Sequence, residues 1–141
     1  MKPKAGSVVN AWPGPRQPGP QVMHDVIRTR ARVKLPNGSK AIVEEAKLVD
    51  YVLSQTHPIG RFKAHFFASL GIETENWEFL HSALLRMAAS ADAKLGQATV
   101  FGQKYLIPGH LEGPGGSADI VSVWIILAGE DVPRLVTVYP R

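Results

Sequence analysis

Apolar residues in the first half of the chain recur at helical spacing and predict three helices. The first covers residues 44–53, and the second ends before Gly71, a residue type that suits the position just after a helix. The third has Thr74 as its predicted N-cap and fades in the alanine-rich segment before Gly96. The apolar residues that form these three stripes are Leu48, Tyr51, Val52, Phe62, Phe66, Leu70, Trp77, Leu80, Leu84 and Met87.

In the second half the pattern changes to runs that are rich in β-branched and aromatic residues. Residues 98–107, 118–127 and 134–139 predict strands, and glycines at 113–116 predict the turn between the first two. The strand at 118–127 is apolar on both faces, which predicts a central position, and a weak alternation over 24–34 predicts a short further strand. Helices followed by an antiparallel meander predict an α+β fold, with the N-terminal helices packed on one face of a roughly four-stranded antiparallel sheet. The residues that we expect in the core are Phe66, Trp77, Leu80, Leu84, Val123 and Ile125.

Composition adds the domain organisation. The chain has 141 residues, 45% of them hydrophobic, which is enough for one domain with an ordinary core. Residues 1–21 are dense in proline and glycine and predict a disordered tail, which leaves 22–141 as a single domain. A net charge of +4 indicates only a mild attraction to polyanions.

The residue inventory excludes several classes of protein. There is no cysteine, which rules out disulfides, thiolate catalysis and cysteine-ligated zinc, and fits a cytoplasmic location. No apolar run approaches the roughly 20 residues of a membrane helix, and no signal peptide is recognisable, so we expect no membrane association. His57 and His65 are eight residues apart and lack a metal-binding spacing, so we expect no metal and no cofactor.

Residues 57–67 carry the densest candidate chemistry. His57 precedes a proline, which favours an extended residue at the end of one helix, and Gly60 offers backbone freedom for the start of the next. Two histidines, one arginine and one lysine lie within the first nine residues of this run. Because a helix N-terminus attracts anions, a phosphate ester is the first substrate class to consider.

Six short motifs carry a resemblance to a known family. They are Leu35-Pro36-Asn37 with Lys40-Ala41-Ile42-Val43, Lys47-Leu48-x-x-Tyr51, His57-Pro58-x-Gly60-x-x-Lys63-Ala64-x-x-Phe67, Gly102-Gln103-Lys104-Tyr105, Val123-Trp124-Ile125, and Pro133-Arg134-Leu135-Val136-Thr137-x-Tyr139-Pro140. Together, over about residues 33–141, they resemble a small bacterial domain of unknown function found alone and at the C-termini of polymorphic toxins and some phage head proteins. That domain is in turn similar to the barnase–EndoU–colicin–RelE group of ribonuclease-like toxins.

The resemblance implies a toxin-like, metal-independent endoribonuclease that cleaves RNA by attack of the 2′-OH. Its expected partners are RNA, with tRNA and mRNA as candidates, and a neutralising antitoxin or immunity protein. Histidine suits proton transfer near neutral pH, and lysine and arginine suit the stabilisation of a phosphorane. The candidate catalytic residues are His57, Lys63, Arg134 and Thr137, and the candidate substrate-binding residues are Arg61, His65, Gln103 and Lys104.

Each candidate also has a plainer interpretation. His57 could bond to the backbone and hold the turn, and Arg134 could form a rim ion pair with Glu130 or Asp131. Arg134 and Thr137 are three residues apart, so an undistorted strand would point them to opposite faces unless a bulge intervenes or Arg134 lies outside the strand. The alternative function is a non-catalytic nucleic-acid-binding or protein-interaction module with the same fold.

Overall fold

The computed structural model describes residues 33–141. The predicted tail and all but the end of the weak strand at 24–34 lie outside the described residues. The three predicted helices are present, the first of them partly as a π-helical turn. They are α1 (Glu45–Lys47, continued by a π-helical turn over Leu48–Val52), α2 (Arg61–Ser69) and α3 (Trp77–Ser90, preceded by a 3-10 turn over Thr74–Asn76).

An antiparallel sheet of five strands, not closed into a barrel, follows the predicted order of elements. Each strand pairs with its neighbour in the sequence, so β1 and β5 form the two edges. The strands are β1 (Val33–Lys34), β2 (Asp92–Thr99), β3 (Gly102–Gly113), β4 (Gly116–Leu127) and β5 (Arg134–Pro140). The predicted α+β fold is therefore confirmed, with four long strands and one strand of two residues.

The predicted single strand at 98–107 is two strands, because a hairpin turn separates residues 98–99 of β2 from residues 102–107 of β3. Val100 and Phe101 form the turn between β2 and β3, and their exposed fractions are 86% and 72%. The sequence pattern treated two apolar residues as strand interior because this turn lacks the usual Asn-Gly signal. The expected hairpin at Gly113–Gly116 is present, with these two glycines paired across a two-residue loop.

The core lies between the helices and the sheet face that contains Trp124. Leu80 and Leu84 of α3 are fully buried there, as expected. Helix α2 faces differently from its predicted stripe, because Phe67 is fully buried whereas Phe62 is 66% exposed. Among the remaining predicted core residues, Val123 is buried and the others are half-buried: Phe66, Trp77 and Ile125.

The C-terminal end of α2 is closed by Gly71, as predicted. Gly71 has a φ of 80°, and its N–H donates to the Ala68 carbonyl at 2.9 Å. The Ile72 N–H donates to the Phe67 carbonyl at 2.9 Å, which completes a Schellman motif. By contrast, Thr74 does not act as an N-cap and is the first residue of the 3-10 turn.

Candidate functional site

Helices α1 and α2 meet where the π-helical turn of α1 presents Tyr51. The widened turn is visible in the hydrogen bond from the Leu53 N–H to the Leu48 carbonyl, five residues back, at 2.7 Å. Gly60 lies directly on this turn, because a Cβ at that position would be 1.9 Å from the Tyr51 carbonyl oxygen. The φ of Gly60 is an ordinary −67°, so glycine is needed here for close approach and not for the backbone freedom that the sequence suggested.

Lys63, on the first turn of α2, joins Tyr51 to the edge strand β5. Its Nζ donates to the Tyr51 hydroxyl at 2.9 Å and to Thr137 Oγ1 at 2.6 Å. The ammonium also lies 4.8 Å from the centre of the Tyr51 ring. No carboxylate of residues 33–141 lies within ion-pair distance of Lys63, so this half-buried cation is held by two side-chain hydroxyl groups. The three residues Tyr51, Lys63 and Thr137 are called the lysine cluster below.

His57 packs against the lysine cluster, and one of its ring nitrogens forms hydrogen bonds with the backbone. Its ring packs edge-on against Tyr51, with ring centres 4.9 Å apart. Nδ1 accepts hydrogen bonds from the Ile59 and Gly60 N–H groups at 3.0 Å and 2.9 Å, which satisfies donors at the start of α2. From this hydrogen-bond network we assign the proton of the neutral ring to Nε2, so His57 can donate a hydrogen bond through that atom.

A bulge in β5 places Arg134 and Thr137 on one face of the sheet. Arg134 pairs with Ile125 and Thr137 with Val123, while Val136 has no partner on β4. Because Ile125 and Val123 are two residues apart on their strand, their side chains share a face, and so do those of their partners. The bulge meets the condition under which both residues could join one site.

The Arg134 guanidinium nevertheless forms ion pairs with two carboxylates. Its Nε lies 3.3 Å from Glu130 Oε1, and its Nη1 lies 3.7 Å from Glu44 Oε2. Among the described residues these two carboxylates are the ion-pair partners of Arg134. The rim ion pair with Glu130 is therefore present, together with a second one that the sequence did not suggest.

The four candidate substrate-binding residues fall into two groups. On α2, Arg61 and His65 are exposed, and the Arg61 guanidinium lies 4.8 Å from the centre of the Phe62 ring. On β3, Gln103 donates to the carbonyls of Gly96 and Lys104 at 3.0 Å and 2.9 Å. These bonds tie the Gln103 amide to the irregular part of the β2–β3 pairing. No hydrogen bond between described residues links either Gln103 or Lys104 to the lysine cluster.

The Lys63 ammonium changes the acidity of the phenol beside it. The hydrogen bond that Lys63 donates lowers the pKa of Tyr51 below the ordinary value of 10.0, and the positive charge of Lys63 adds to this against the opposing effect of burial. Tyr105 shows the contrary case, since burial raises the pKa of its phenol. Tyr51 is thus a phenol whose ionised form is favoured by a neighbouring cation.

Two further observations on the described residues concern metal binding and membrane-spanning helices. Within residues 33–141, no three His, Asp or Glu side chains group closely enough to hold a metal ion. None of the helices in that part of the chain combines the length and apolar character needed to cross a lipid bilayer.

Comparison with known proteins places the chain in a family. Residues 34–141 match the family described as domain of unknown function DUF6883. The chain belongs to this family. The match covers nearly the same residues as the resemblance noted from the sequence motifs. A search of curated proteins finds no match to this chain.

The fold of this DUF6883 domain is similar to that of a solved structure. One chain of a contact-dependent growth inhibition toxin–immunity protein complex from Klebsiella pneumoniae 342 superposes with a TM-score of 0.57 at 15% sequence identity. The similarity covers 74% of this chain and 97% of that chain. At this identity the comparison supports a shared fold.

Sequence reasoning missed Tyr51 as a member of the site in this DUF6883 domain. Tyr51 was assigned to the apolar stripe of the first helix, and its spacing of 12 residues from Lys63 gives no periodic signal. The available signal was the motif Lys47-Leu48-x-x-Tyr51, which places a polar phenol just before the His-Pro turn.

Proposed function

We propose that this protein is a toxin-like, metal-independent endoribonuclease that cleaves RNA by attack of the 2′-OH on the adjacent phosphate. The observation that carries the proposal is the lysine cluster. Lys63 is a half-buried cation bonded to the hydroxyls of Tyr51 and Thr137 and to no carboxylate of residues 33–141. Such a cation keeps its charge available for an anion, and a phosphorane is the anion that this reaction must stabilise.

In this mechanism Lys63 contacts an oxygen of the scissile phosphate, and Thr137 holds the ammonium in position through the 2.6 Å hydrogen bond. His57 donates from Nε2 to the same phosphate. We assign it this role because Nδ1 already accepts hydrogen bonds from two backbone N–H groups. A proton on Nδ1 would break both of these bonds. Arg134 is the second cation, and RNA has to compete with Glu44 and Glu130 for it.

Substrate binding in this proposal extends along the exposed side of α2. Arg61 and His65 would contact the RNA backbone from there, and the exposed Phe62 ring offers a surface for a base. Gln103 and Lys104 would contribute only if the RNA also crosses β3. The natural partners are RNA, with tRNA and mRNA as candidates, and a neutralising immunity protein in the cytoplasm. The similar fold in a toxin–immunity complex supports the latter partner.

The rival function is a non-catalytic binding module with the same fold. It is favoured by the partners of two candidate residues, because His57 caps backbone donors and Arg134 is paired with two acids. A module of this kind would bind RNA or a protein through Lys63 and leave RNA intact.

Incubation of the purified protein with total RNA in EDTA separates these functions. We expect cleavage that leaves 2′,3′-cyclic phosphate ends, and a loss of about 10²–10³-fold in rate for Lys63→Met, which keeps the side-chain length and removes the charge. Lys94→Met is the matched control, because Lys94 is exposed on β2. RNA that stays intact but is retained by the protein would establish the rival function instead.

A further inference from the structure

The lysine cluster contains a hydroxyl group whose chemistry the proposed function leaves unused. An ammonium has three N–H donors and no acceptor, so the Tyr51 oxygen and Thr137 Oγ1 both accept from Lys63 at the distances given above. Two of the three donors are therefore committed, and the third is free to meet a substrate oxygen.

The position of the Tyr51 oxygen is fixed from several sides. Its ring is held edge-on by His57, and its backbone is held in the π-helical turn beneath Gly60. The Lys63 ammonium then fixes the hydroxyl end, and Thr137 anchors the ammonium to β5. These contacts restrain the half-buried phenol, and a fixed orientation of a reacting group favours catalysis.

We propose that Tyr51 is the general base of the reaction and that Lys63 supplies the proton to the leaving group. This inference rests on the proposed ribonuclease function. The Tyr51 phenolate takes the proton of the 2′-OH, the bond from O2′ to phosphorus forms, and the bond from phosphorus to O5′ breaks. O5′ takes a proton from the Lys63 ammonium.

Tyr51 and Lys63 then return to their starting protonation states without any other reactant. After the step Tyr51 carries a proton and Lys63 is a neutral amine, and their oxygen and nitrogen are 2.9 Å apart. Transfer of the proton along this hydrogen bond restores the phenolate and the ammonium. The products are a 2′,3′-cyclic phosphate and a 5′-hydroxyl, and neither water nor a metal ion is consumed.

The ionisation of Tyr51 can be measured apart from any activity. Because Lys63 lowers the pKa of Tyr51, its tyrosinate absorbance is expected to rise at a pH below the ordinary 10.0. Tyr51→Phe should remove this early transition, and Lys63→Met should move it to higher pH. The other two tyrosines, Tyr105 and Tyr139, stay in both variants.

The test combines this titration with the pH dependence of RNA cleavage. We expect Tyr51→Phe to keep the ring packing and the circular dichroism spectrum but to lose about 10²–10⁴-fold in kcat with little change in KM. Tyr139→Phe is the control and should cleave like the parent. The kcat of the parent should rise with pH through the same range in which Tyr51 ionises.

Lys63→Arg tests the second half of the proposal and covers the case in which Tyr51→Phe misfolds. Arginine keeps a cation beside Tyr51 but does not give up its proton at these pH values, so the early tyrosinate transition should persist while kcat falls. Undiminished cleavage by folded Tyr51→Phe would overturn the role of Tyr51, and undiminished cleavage by Lys63→Arg would overturn the role of Lys63 as acid. Failure of the parent protein itself to cleave RNA would instead overturn the proposed function, and this role with it.

Discussion

Two cations are associated with strand β5, and they differ in what surrounds them. Lys63 reaches Thr137 on this strand and is held by hydroxyl groups, whereas Arg134 begins the strand and is held by Glu44 and Glu130. Both cations lie beside β5, and the β5 bulge gives Arg134 and Thr137 a common face. In the proposed function, this difference in carboxylate partners makes Lys63, and not Arg134, the cation that receives a phosphate.

A large effect on both stability and rate is expected where the lysine cluster depends on backbone contact. Gly60→Ala would put a methyl group on the Tyr51 carbonyl and force α2 away from α1. Overpacking of this kind costs about 1–3 kcal/mol of unfolding free energy, and a shift of about 1 Å in a site can cost about 10²-fold in rate. Thermal melting and RNA cleavage measure the two effects.

Gly116→Ala is the matched control for that change. A Cβ at Gly116 would meet its nearest neighbour at 3.6 Å, an ordinary contact, so stability and cleavage should both stay close to the parent. Equal losses in the two variants would show that the close approach at Gly60 has no special role.

A smaller effect is expected from the hydroxyl that anchors Lys63 to β5. Thr137→Val keeps the shape of the side chain and removes the acceptor of the 2.6 Å hydrogen bond. A hydrogen bond to a charged group contributes about 1.5–3 kcal/mol, so a loss of about 10- to 10²-fold in cleavage rate is expected. A rate equal to that of the parent would mean that Tyr51 alone holds the ammonium.

Replacing the two carboxylates around Arg134 with amides would leave Arg134 without an acidic partner, as Lys63 is among the described residues. In the double variant Glu44→Gln, Glu130→Gln, Arg134 loses both ion-pair partners and becomes available to RNA. RNA affinity should rise by a few-fold, and the slope of log affinity against log salt should steepen by about 1. An unchanged slope would show that Arg134 lies outside the RNA contact.

The smallest effect is expected on folding. Arg134→Met removes two ion pairs at the surface, and exposed pairs contribute about 0.2–1 kcal/mol each at most. The midpoint of urea unfolding should therefore move little, and a large loss of stability would show that Arg134 has a packing role in place of the proposed rim contact.

The local pattern of the sequence predicted much of the fold but not the way the helices face. Helical spacing and the glycines at turns predicted α1, the end of α2 at Gly71 and the hairpin at Gly113–Gly116. The predicted face of α2 was wrong at Phe62, which is exposed, although Leu70 of the same stripe is buried. Helical spacing allows more than one buried face, and only tertiary packing selects Phe67. The turn at Val100 and Phe101 was missed because a β-branched and an aromatic residue are typical of strand interiors, and not of turns.

Two members of the lysine cluster were predicted from the sequence, but Tyr51 and the contacts among the three residues were not. Lys63 and Thr137 were both selected from motifs, and the structure brings them into direct contact. The bond between them joins residues 74 positions apart, and the acids beside Arg134 come from two different segments, so no local spacing could reveal either. The π-helical turn that presents Tyr51 was also invisible, because its apolar spacing is that of an ordinary helix.

The central claim is that the Lys63 cation, and not the Arg134 cation, drives cleavage of RNA without a metal ion. The most direct measurement is the single-turnover rate of RNA cleavage in EDTA for the parent, Lys63→Met and Arg134→Met, all confirmed as folded. We expect Lys63→Met to lose about 10²–10³-fold and Arg134→Met to stay within about tenfold of the parent. Equal losses in the two variants, or no cleavage by the parent, would contradict the claim.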